Sequence, residues 1–282
     1  MVAAKRRQSG RYRYLLGDSA VEAARLRAQA KLWDPVAEAL FDRVGVGRGA
    51  RVLEVGPGQG SIHLALRRRV HKPIDAVERS EVFARRLRSL CQRDGLGEGR
   101  VWESDLLHAP LPRAEYDFIF ARWVFLFLPN PGAHVKKLAA ALKPGGTLAV
   151  QDYYRKTLSM IPEPPEWRHF VESDDAFFAS QGGNASVGDQ LPVLFRKAGL
   201  ELIEVSPTIK TGQPGSPEWN WLTTYFLGVM DRYAMFPPFT PAEGRRLAAR
   251  WRKAERDPMS LLIAPAVLNV VGRKRKSRTP NT

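Results

Sequence analysis

Between residues 51 and 152, short runs rich in apolar and β-branched residues alternate with stretches typical of helices. Five of these runs have the length and residue types of buried strands: RVLEV (51–55), PIDAVE (73–78), RVWES (100–104), YDFIFA (116–121) and GTLAVQD (146–152). Ser61, Ser80 and Asn130, the last followed by Pro131 at the first helical position, are predicted to be helix N-caps. Strand, helix and strand at this spacing predict an α/β fold, with a mostly parallel sheet covered by helices on both faces.

Helical patterns occur on both sides of this alternation. Ahead of it, Ser19 to Glu22 predicts a capping box for one helix, and Asp34-Pro35 predicts the start of a second helix that ends at Gly45. Behind it, helical patterns occupy 165–180, 189–198, 217–234 and 241–256. Two further strands are predicted in LELIEV (201–206) and AVLNVVG (266–272).

These patterns predict the organisation of the chain. We expect an N-terminal helical segment (1–48), a core (49–152), a helical cap (153–190 and 207–257), the remaining core strands (191–206 and 258–272) and a basic tail (273–282). Residues 151–240 carry 14 of the 27 aromatic residues of the chain. The cap therefore either closes over an apolar or aromatic ligand or packs these rings into a small core of its own.

The charge of the chain leaves two interpretations open. The 282 residues carry a formal net charge of +15, mostly as scattered arginines, and only GRKRKSR (272–278) is a continuous basic run. A solvated basic surface is the favoured interpretation, and a nucleic-acid partner is the alternative. No apolar run reaches the length of a membrane span and no secretory signal is visible, so a cytoplasmic location is expected. The one cysteine, Cys91, excludes an internal disulfide.

A glycine-rich stretch, LEVGPGQGS (53–61), follows the first predicted strand directly. Gly56, Gly58 and Gly60 fall between this strand and a helix, at the carboxyl edge of the sheet, where open α/β sheets bind ligands. Glycine admits positive φ and lets a ligand approach the backbone. Glu78 ends the next strand, from which a carboxylate can accept hydrogen bonds from two ribose hydroxyls. Together these residues predict a site for a nucleoside.

The spacing of the glycines narrows the choice of nucleoside. The dinucleotide fingerprint G-x-G-x-x-G/A requires Gly or Ala at position 61, where this chain has Ser61, and no G-K-[ST] follows that would indicate a P-loop. Glu54 precedes the glycines by two positions. A carboxylate there is unfavourable beside a pyrophosphate and favourable beside a cationic amino group.

Five motifs in order, VLEVGPGQG, AVERS, ESDLL, YDFIFARWVFLFL and LKPGGTLAVQDYY, resemble the class I S-adenosylmethionine-dependent methyltransferases. YLLGDSAVEAARLRAQAKLWDPV upstream resembles bacterial small-molecule methyltransferases similar to the ubiquinone and menaquinone C-methyltransferases. The resemblance implies a Rossmann-like sheet of seven strands whose last strand is antiparallel. AVLNVVGRK fits that strand, with Pro265 just outside its start.

The resemblance also implies S-adenosyl-L-methionine as cofactor and gives roles to residues of this chain. Gly56, Gly58 and Gly60 would wrap the methionine and ribose part, Glu78 would hold the ribose hydroxyls, and Glu54 would act on the methionine amino group through the loop or a water molecule. Asp105 and Leu106 would contact the adenine, and Ala121 and Arg122 would meet the methionine carboxylate. Tyr14 and Gln29 would close over the cofactor from the N-terminal segment.

Methyl transfer needs few catalytic groups from the protein, because the sulfonium already carries an activated methyl group. Positioning of the two reactants therefore supplies most of the rate enhancement. A base is needed only if the acceptor must lose a proton, and candidates near the expected pocket are Asp152, Tyr153, Tyr154 and His134. The five histidines show no metal-ligand spacing and no C-x-x-C occurs, so no metal is expected.

The stretch ARWVFL after the fourth strand differs from the [DNS]-P-P-[YFW] signature of amino-nucleobase methyltransferases, which disfavours a nucleobase acceptor. The aromatic cap favours a small organic acceptor, apolar or aromatic, that is methylated on O, N, S or an activated carbon. An RNA methyltransferase, favoured by the charge, and an inactive scaffold that only binds the cofactor are the alternatives. The expected assembly is a monomer or a homodimer.

Overall fold

The computed structural model of the chain describes residues 20–276. The capping box predicted at Ser19, the candidate residue Tyr14 and the end of the predicted basic tail lie outside the described residues. Eight helices and ten strands occur in the described part. None of its helices is both long and apolar enough to cross a membrane.

The first half of the described chain follows the predicted alternation of strands and helices. Its elements are α1 (Ala20–Arg43), β1 (Val52–Val55), α2 (Ser61–Val70), β2 (Asp75–Glu78), α3 (Glu81–Arg93), β3 (Val101–Glu103), β4 (Tyr116–Arg122), α4 (Pro131–Ala141) and β5 (Leu142–Tyr154). The second half adds β6 (Ser159–Ile161), α5 (Trp167–Ser180), α6 (Leu191–Lys197), β7 (Leu200–Thr208), β8 (Thr211–Gly212), α7 (Pro217–Tyr233), α8 (Pro241–Ala254), β9 (Leu261–Ile263) and β10 (Ala266–Lys274).

Seven strands form the main sheet, in the order β3-β2-β1-β4-β5-β10-β7. β10 pairs antiparallel with both β5 and β7, and the pairs among β1 to β5 are parallel. The predicted α/β fold, with a seven-stranded sheet and one antiparallel strand near its end, is confirmed. Because the strand order reverses between β1 and β4, the loops that follow these two strands diverge and leave a crevice at the carboxyl edge.

The helix before the sheet differs from the prediction. One helix, α1, runs through Pro35, where two helices were expected. A proline inside a helix removes one backbone hydrogen bond and costs about 3 kcal/mol. Trp33, Ala37 and Leu40 stand on one face at helical spacing, and all three are buried. Burial of this face on both sides of Pro35 offsets the cost and keeps the helix continuous.

The predicted N-caps are correct at two of three helices. Ser80 accepts a hydrogen bond from the backbone N–H of Phe83 at the start of α3, and Asn130 caps α4 in the same way. At α2 the cap residue is Gly60, with φ +83°, and Ser61 is the first helical residue. The prediction of Ser61 as cap is wrong, because the left-handed glycine already turns the chain into the helix.

The helices α5, α7 and α8 form a cap beside the carboxyl edge of the sheet. Their aromatic rings pack on one another in a buried core that contains Phe170, Trp219, Tyr233 and Trp251. A second sheet, in the order β6-β9-β8, accompanies the cap and was not predicted. Its strands have two or three residues each, too short for a periodic pattern. The range 258–272, predicted to hold core strands, thus supplies β9 to the small sheet and most of β10 to the main one.

Candidate functional site

A cavity of about 220 Å³ lies at the carboxyl edge of the main sheet. Its sheet side is formed by the loops after β1, β2, β3 and β4. Its cap side is formed by residues of α1, α5 and α7 and by the end of β5. The cavity therefore connects the glycine loop, where a nucleoside was expected, to the aromatic residues of the cap.

The loop after β1 needs glycine for two different reasons. Gly56 has φ +65°, and a Cβ atom there would stand 2.5 Å from Cγ2 of Val124, in the loop after β4. Gly58 has φ +53° and lines the cavity, and a Cβ atom there would meet no protein atom within 4 Å. Gly60 does not line the cavity; it packs against Leu87 and Leu90 of α3. The space beside Gly58 is thus open to a ligand.

Glu78 ends β2 beside the glycine loop. Its Oε2 accepts a hydrogen bond from the backbone N–H of Gly58 at 3.2 Å, and its Oε1 accepts one from Ser80 at 2.8 Å. Burial raises the pKa of this carboxyl, and the backbone donors act against the rise. Glu78 thus ties the end of β2 to the glycine loop while it lines the cavity.

Glu54 lies in β1 and has a partner that the sequence did not reveal. Its Oε2 is 3.0 Å from Nδ1 of His63 in α2, and both side chains are buried. Burial disfavours the charged imidazole, but the hydrogen bond to Glu54 and the Glu54 charge, with Cys91 close by, raise the pKa of His63 to about 9. The pair joins β1 to α2 on either side of the glycine loop, and Glu54 also lines the cavity.

Asp105 and Leu106 follow β3 and both line the cavity. Oδ1 of Asp105 accepts a hydrogen bond from the backbone N–H of Leu107 at 2.9 Å, and its Oδ2 lies 3.7 Å from Nη1 of Arg79. The carboxylate therefore stabilises its own turn and faces the cavity as well. Leu106 is buried beside it, as expected of a residue that packs on an adenine ring.

The two candidates at the end of β4 differ. Ala121 is fully buried in the sheet, where it pairs with Val55 and Val150, and it does not line the cavity. Arg122 does line the cavity and pairs with Asp34 of α1 at 2.6 Å. Nη1 of Arg122 is buried and has no partner among the described residues. This nitrogen is free to donate to a ligand.

Gln29 joins the N-terminal helix to the cap. Its Oε1 accepts hydrogen bonds from Nη1 of Arg25 at 2.6 Å and from Nε1 of Trp221 at 3.2 Å. All three residues line the cavity. Gln29 therefore lies at the cavity, where its amide oxygen is held by protein groups, and its closing over the cofactor stays a prediction.

Of the four candidate bases, only Tyr153 lines the cavity. Its ring stacks on that of Trp123, with centroids 5.5 Å apart, and burial raises its pKa, so the hydroxyl stays protonated near neutral pH. Tyr154 stands one residue further along the same strand, away from the cavity lining.

The other two candidate bases are buried in the core. Asp152 accepts backbone hydrogen bonds from Leu126 and Tyr153, and burial raises its pKa to about 7. Nδ1 of His134 lies 3.1 Å from the carbonyl oxygen of Asn130, and burial lowers the pKa of the imidazole. Since neither side chain reaches the cavity lining, their contacts indicate structural roles.

Sequence reasoning missed a polar cluster on the cap side. Arg155 follows β5, is buried, lines the cavity and forms an ion pair with Asp174 of α5. Nη2 of Arg155 donates to the hydroxyl of Tyr225 at 3.4 Å, and this hydroxyl lies 3.0 Å from that of Tyr233. Arg155, Asp174 and the pair of tyrosines are far apart in the sequence, so no local sequence pattern predicts that they meet.

The residues on the sheet side fit S-adenosylmethionine. Besides Arg122, two residues on the sheet side of the cavity carry a buried polar atom with no partner in the described chain, Oε1 of Gln59 and Nε1 of Trp123. Carboxylates at Glu78 and Asp105 can accept from hydroxyl and amino groups, and Arg122 can donate to a carboxylate. No group of three or more metal-ligating side chains occurs within residues 20–276.

Comparisons with known proteins agree with this geometry. A family model described as a methyltransferase domain matches residues 24–205. The chain is 28% identical to methyltransferase GfsG of Streptomyces halstedii over 195 residues, which cover 65% of this chain and 67% of that protein. It is 34% identical to a trans-aconitate 2-methyltransferase of Rhodopseudomonas palustris over 102 residues, 36% of this chain and 38% of that protein. With 27-O-demethylrifamycin SV methyltransferase of Amycolatopsis mediterranei it shares 24% identity over 65% of each chain.

Solved structures share the fold. A protein from Bacillus halodurans described as a methyltransferase superposes with a TM-score of 0.58 at 19% identity, covering 84% of this chain and 98% of that one. The [4+2]-cyclase SpnF gives 0.57 at 19% identity, covering 86% and 82%. A cyclase among these neighbours shows that the fold alone does not fix the reaction.

The family model covers more than half of the chain, and the motif order, the sheet and the cavity agree with it. The narrower resemblance to quinone C-methyltransferases stays a prediction, because none of the relatives named here acts on a quinone by its name. The chain belongs to the methyltransferase-domain family and is a class I, S-adenosylmethionine-dependent member of it.

Proposed function

We propose that this protein transfers a methyl group from S-adenosylmethionine to O, N, S or an activated carbon of a small organic acceptor with an apolar or aromatic body. One observation carries the proposal: a single cavity is lined by the glycine loop on its sheet side and by aromatic residues on its cap side. The sheet side would hold the cofactor and the cap side the acceptor.

The cap side has the character of a pocket for an organic molecule. Its walls are aromatic and closely packed, and include Tyr153, Phe178, Trp221, Tyr225 and Phe226. Such rings exclude water and pack against flat or apolar ligands. Relatives named for trans-aconitate and for a rifamycin also act on small organic molecules, which agrees with a small acceptor.

The residues of this chain would act by positioning. When bound, the cofactor would supply a methyl group activated by a sulfonium, so that an electron pair of the acceptor could form the new bond as the carbon–sulfur bond breaks and its electrons stay on sulfur. Glu78 and Asp105 would orient the nucleoside, and Arg122 the methionine carboxylate. Tyr153 stays protonated, so it can donate a hydrogen bond to an acceptor oxygen but cannot accept a proton as a base. A proton released by the acceptor would therefore pass to solvent, during or before the transfer.

The test is transfer of a radiolabelled methyl group from S-adenosylmethionine to a panel of small acceptors that includes trans-aconitate, phenols and aromatic acids. We expect label in at least one product, together with an equal amount of S-adenosylhomocysteine. Trp221→Ala should lower this transfer more than it lowers binding of S-adenosylhomocysteine, because Trp221 lies on the cap side. Cofactor binding without transfer to any acceptor would favour the inactive scaffold.

An RNA acceptor is the second candidate, and the net charge of +15 is the observation that favours it. Several arginines are already paired with carboxylates, for example Arg51 and Arg100 with Asp75 and Arg67 with Asp94. These paired guanidinium groups are poorer ligands for phosphates, while the net charge of +15 already counts their carboxylate partners. An RNA enzyme would bind RNA with a steep dependence on salt concentration and would label RNA in the same assay.

A further inference from the structure

The outer face of α8 and of the turn after it carries a concentration of cations. Residues 241–256 contain six lysines or arginines against two glutamates. Arg252 and Arg256 follow Arg245 by about two and three helical turns, so these three side chains lie in one row. They are exposed, as is Lys253 beside them, and none of the four side chains forms an ion pair or hydrogen bond with another of the described residues. Together these four residues are called the basic face.

Packing on the opposite side of α8 holds the basic face outward. Leu247 and Trp251 are fully buried, and the ring of Trp251 packs on aromatic rings of α7. On the flank of the helix, Arg246 and Arg250 share the carboxylate of Glu166. Because its apolar side and its flank are both engaged, α8 cannot turn its free cations toward the protein.

Exposed apolar side chains stand at the C-terminal end of the basic face. Met259 is 81% exposed, and turns closed by the backbone N–H groups of Asp257 and Ser260 connect it to the end of the helix. Ile161 is 47% exposed and pairs with Leu261, two positions beyond Met259. A row of cations that ends in exposed apolar side chains is the combination by which peripheral proteins bind anionic membranes.

We propose that the basic face docks this protein on a membrane that contains anionic phospholipids, with Met259 and Ile161 against the headgroup region. Clusters of four or more lysines and arginines on a helix attract such lipids, and each cation near the surface adds to the affinity. The apolar side of α8 is already packed inside the protein, so the helix would lie on the lipid surface and not within it.

A nucleic acid would match the charge of this surface but not its other features. Proteins that hold single strands stack bases on exposed aromatic rings, and the one aromatic residue of α8, Trp251, is buried. The exposed Met259 and Ile161 offer no hydrogen bond to a phosphate or a base. An anionic lipid surface therefore fits the cations and the apolar side chains together.

The experiment measures co-sedimentation of the full-length protein with vesicles of phosphatidylcholine, alone or mixed with phosphatidylserine, at low and moderate salt. We expect at least tenfold tighter binding to the mixed vesicles, and a loss of this binding as the salt concentration rises. Equal binding to the two kinds of vesicle, or no binding to the mixed vesicles at low salt, would overturn the proposal.

Two triple variants separate the basic face from the net charge of the chain. The test variant carries Arg245→Gln, Arg252→Gln and Arg256→Gln and should bind the mixed vesicles at least tenfold more weakly than the wild-type protein. The control variant removes the same charge at three exposed arginines of α2 and α3, by Arg68→Gln, Arg86→Gln and Arg93→Gln, and should lose much less affinity. Both should fold, because every replaced side chain is exposed. An equal loss in the two variants would contradict the proposal.

Met259→Ser distinguishes a lipid surface from a nucleic acid. The substitution should lower binding to the mixed vesicles about threefold, because it removes an apolar side chain at the lipid surface. If the protein instead binds a single-stranded RNA oligonucleotide more tightly than the mixed vesicles, and the test variant loses that binding, the basic face is a nucleic-acid surface and the proposal is wrong.

Binding of S-adenosylhomocysteine separates this proposal from the proposed function. Within the described lining of the cavity no residue comes from α8, so the test variant should bind S-adenosylhomocysteine as tightly as the wild-type protein. Vesicle binding without binding of S-adenosylhomocysteine would refute the proposed function alone. The reverse result would refute the docking alone.

Discussion

Gly58→Ala tests whether the open space beside the glycine loop is the cofactor site. Gly58 has φ +53°, and an added Cβ atom would meet no protein atom within 4 Å. The substitution therefore introduces backbone strain but no clash. An L-residue in the left-handed region costs about 1–2 kcal/mol. Since the free energy of unfolding of an ordinary domain is roughly 5–15 kcal/mol, the variant should still fold.

The added methyl group would stand in the cavity rather than in the protein core. A ligand that lies against the backbone of Gly58 then loses that approach, and we expect S-adenosylhomocysteine to bind at least tenfold more weakly, about 1.4 kcal/mol. Urea denaturation measures the change in stability, and calorimetric titration measures the change in affinity.

Gly49→Ala is the matched control. Gly49 is exposed between α1 and β1, has φ +83°, and also has no atom within 4 Å of an added Cβ. The Gly49→Ala variant should lose a similar amount of stability, about 1–2 kcal/mol, and should bind S-adenosylhomocysteine as tightly as the wild-type protein. Equal affinities of the two variants for S-adenosylhomocysteine would refute the assignment of this space to the cofactor.

Three further predictions concern the charged groups of the site. Glu78→Ala should weaken S-adenosylhomocysteine binding at least tenfold by calorimetry, because Glu78 lines the cavity and holds Gly58; unchanged affinity would remove it from the site. The folded-state pKa of His63, about 9, exceeds its ordinary 6.5, so its contribution is complete below pH 6.5 and is lost as the pH rises to about 9. The protonated imidazole of His63 thus contributes on the order of 3 kcal/mol to the free energy of unfolding. Urea denaturation between about pH 6 and 9 should show this loss of stability in the wild-type protein and not in His63→Gln. The same dependence of stability on pH in both proteins would contradict the raised pKa. Asp174→Asn leaves Arg155 buried without its counter-ion and should cost about 3–5 kcal/mol in the same assay, whereas a loss below about 1 kcal/mol would contradict the buried pair.

Most of the fold is predictable from the sequence because its signals are local. Each core strand is a short apolar run, and Ser80 and Asn130 mark helix starts by chemistry that acts within three residues. The continuous helix α1 is different. Pro35 is a local signal for a break, and only the burial of Trp33 and Leu40 against the rest of the molecule overrides it.

The sequence predicts the sheet side of the candidate site and the aromatic character of its cap side, but not the polar contacts of the cap side. The glycine loop, Glu78 and Asp105 lie at the carboxyl ends of three consecutive strands, so the topology brings them together. Arg155 and Tyr225 are brought together by the packing of α7 over the end of β5, across 70 positions of sequence. A sequence pattern within one element does not predict a contact between two elements. The polar groups on the acceptor's side of the cavity therefore have to be found in the structure.

The most direct test of the central claim is a calorimetric titration of the purified protein with S-adenosylmethionine, S-adenosylhomocysteine and NAD at low and moderate salt. The account predicts binding of the first two in the micromolar range and no heat with NAD, since the loop lacks the dinucleotide spacing. Binding of NAD, or the absence of binding by all three to the folded protein, would contradict it.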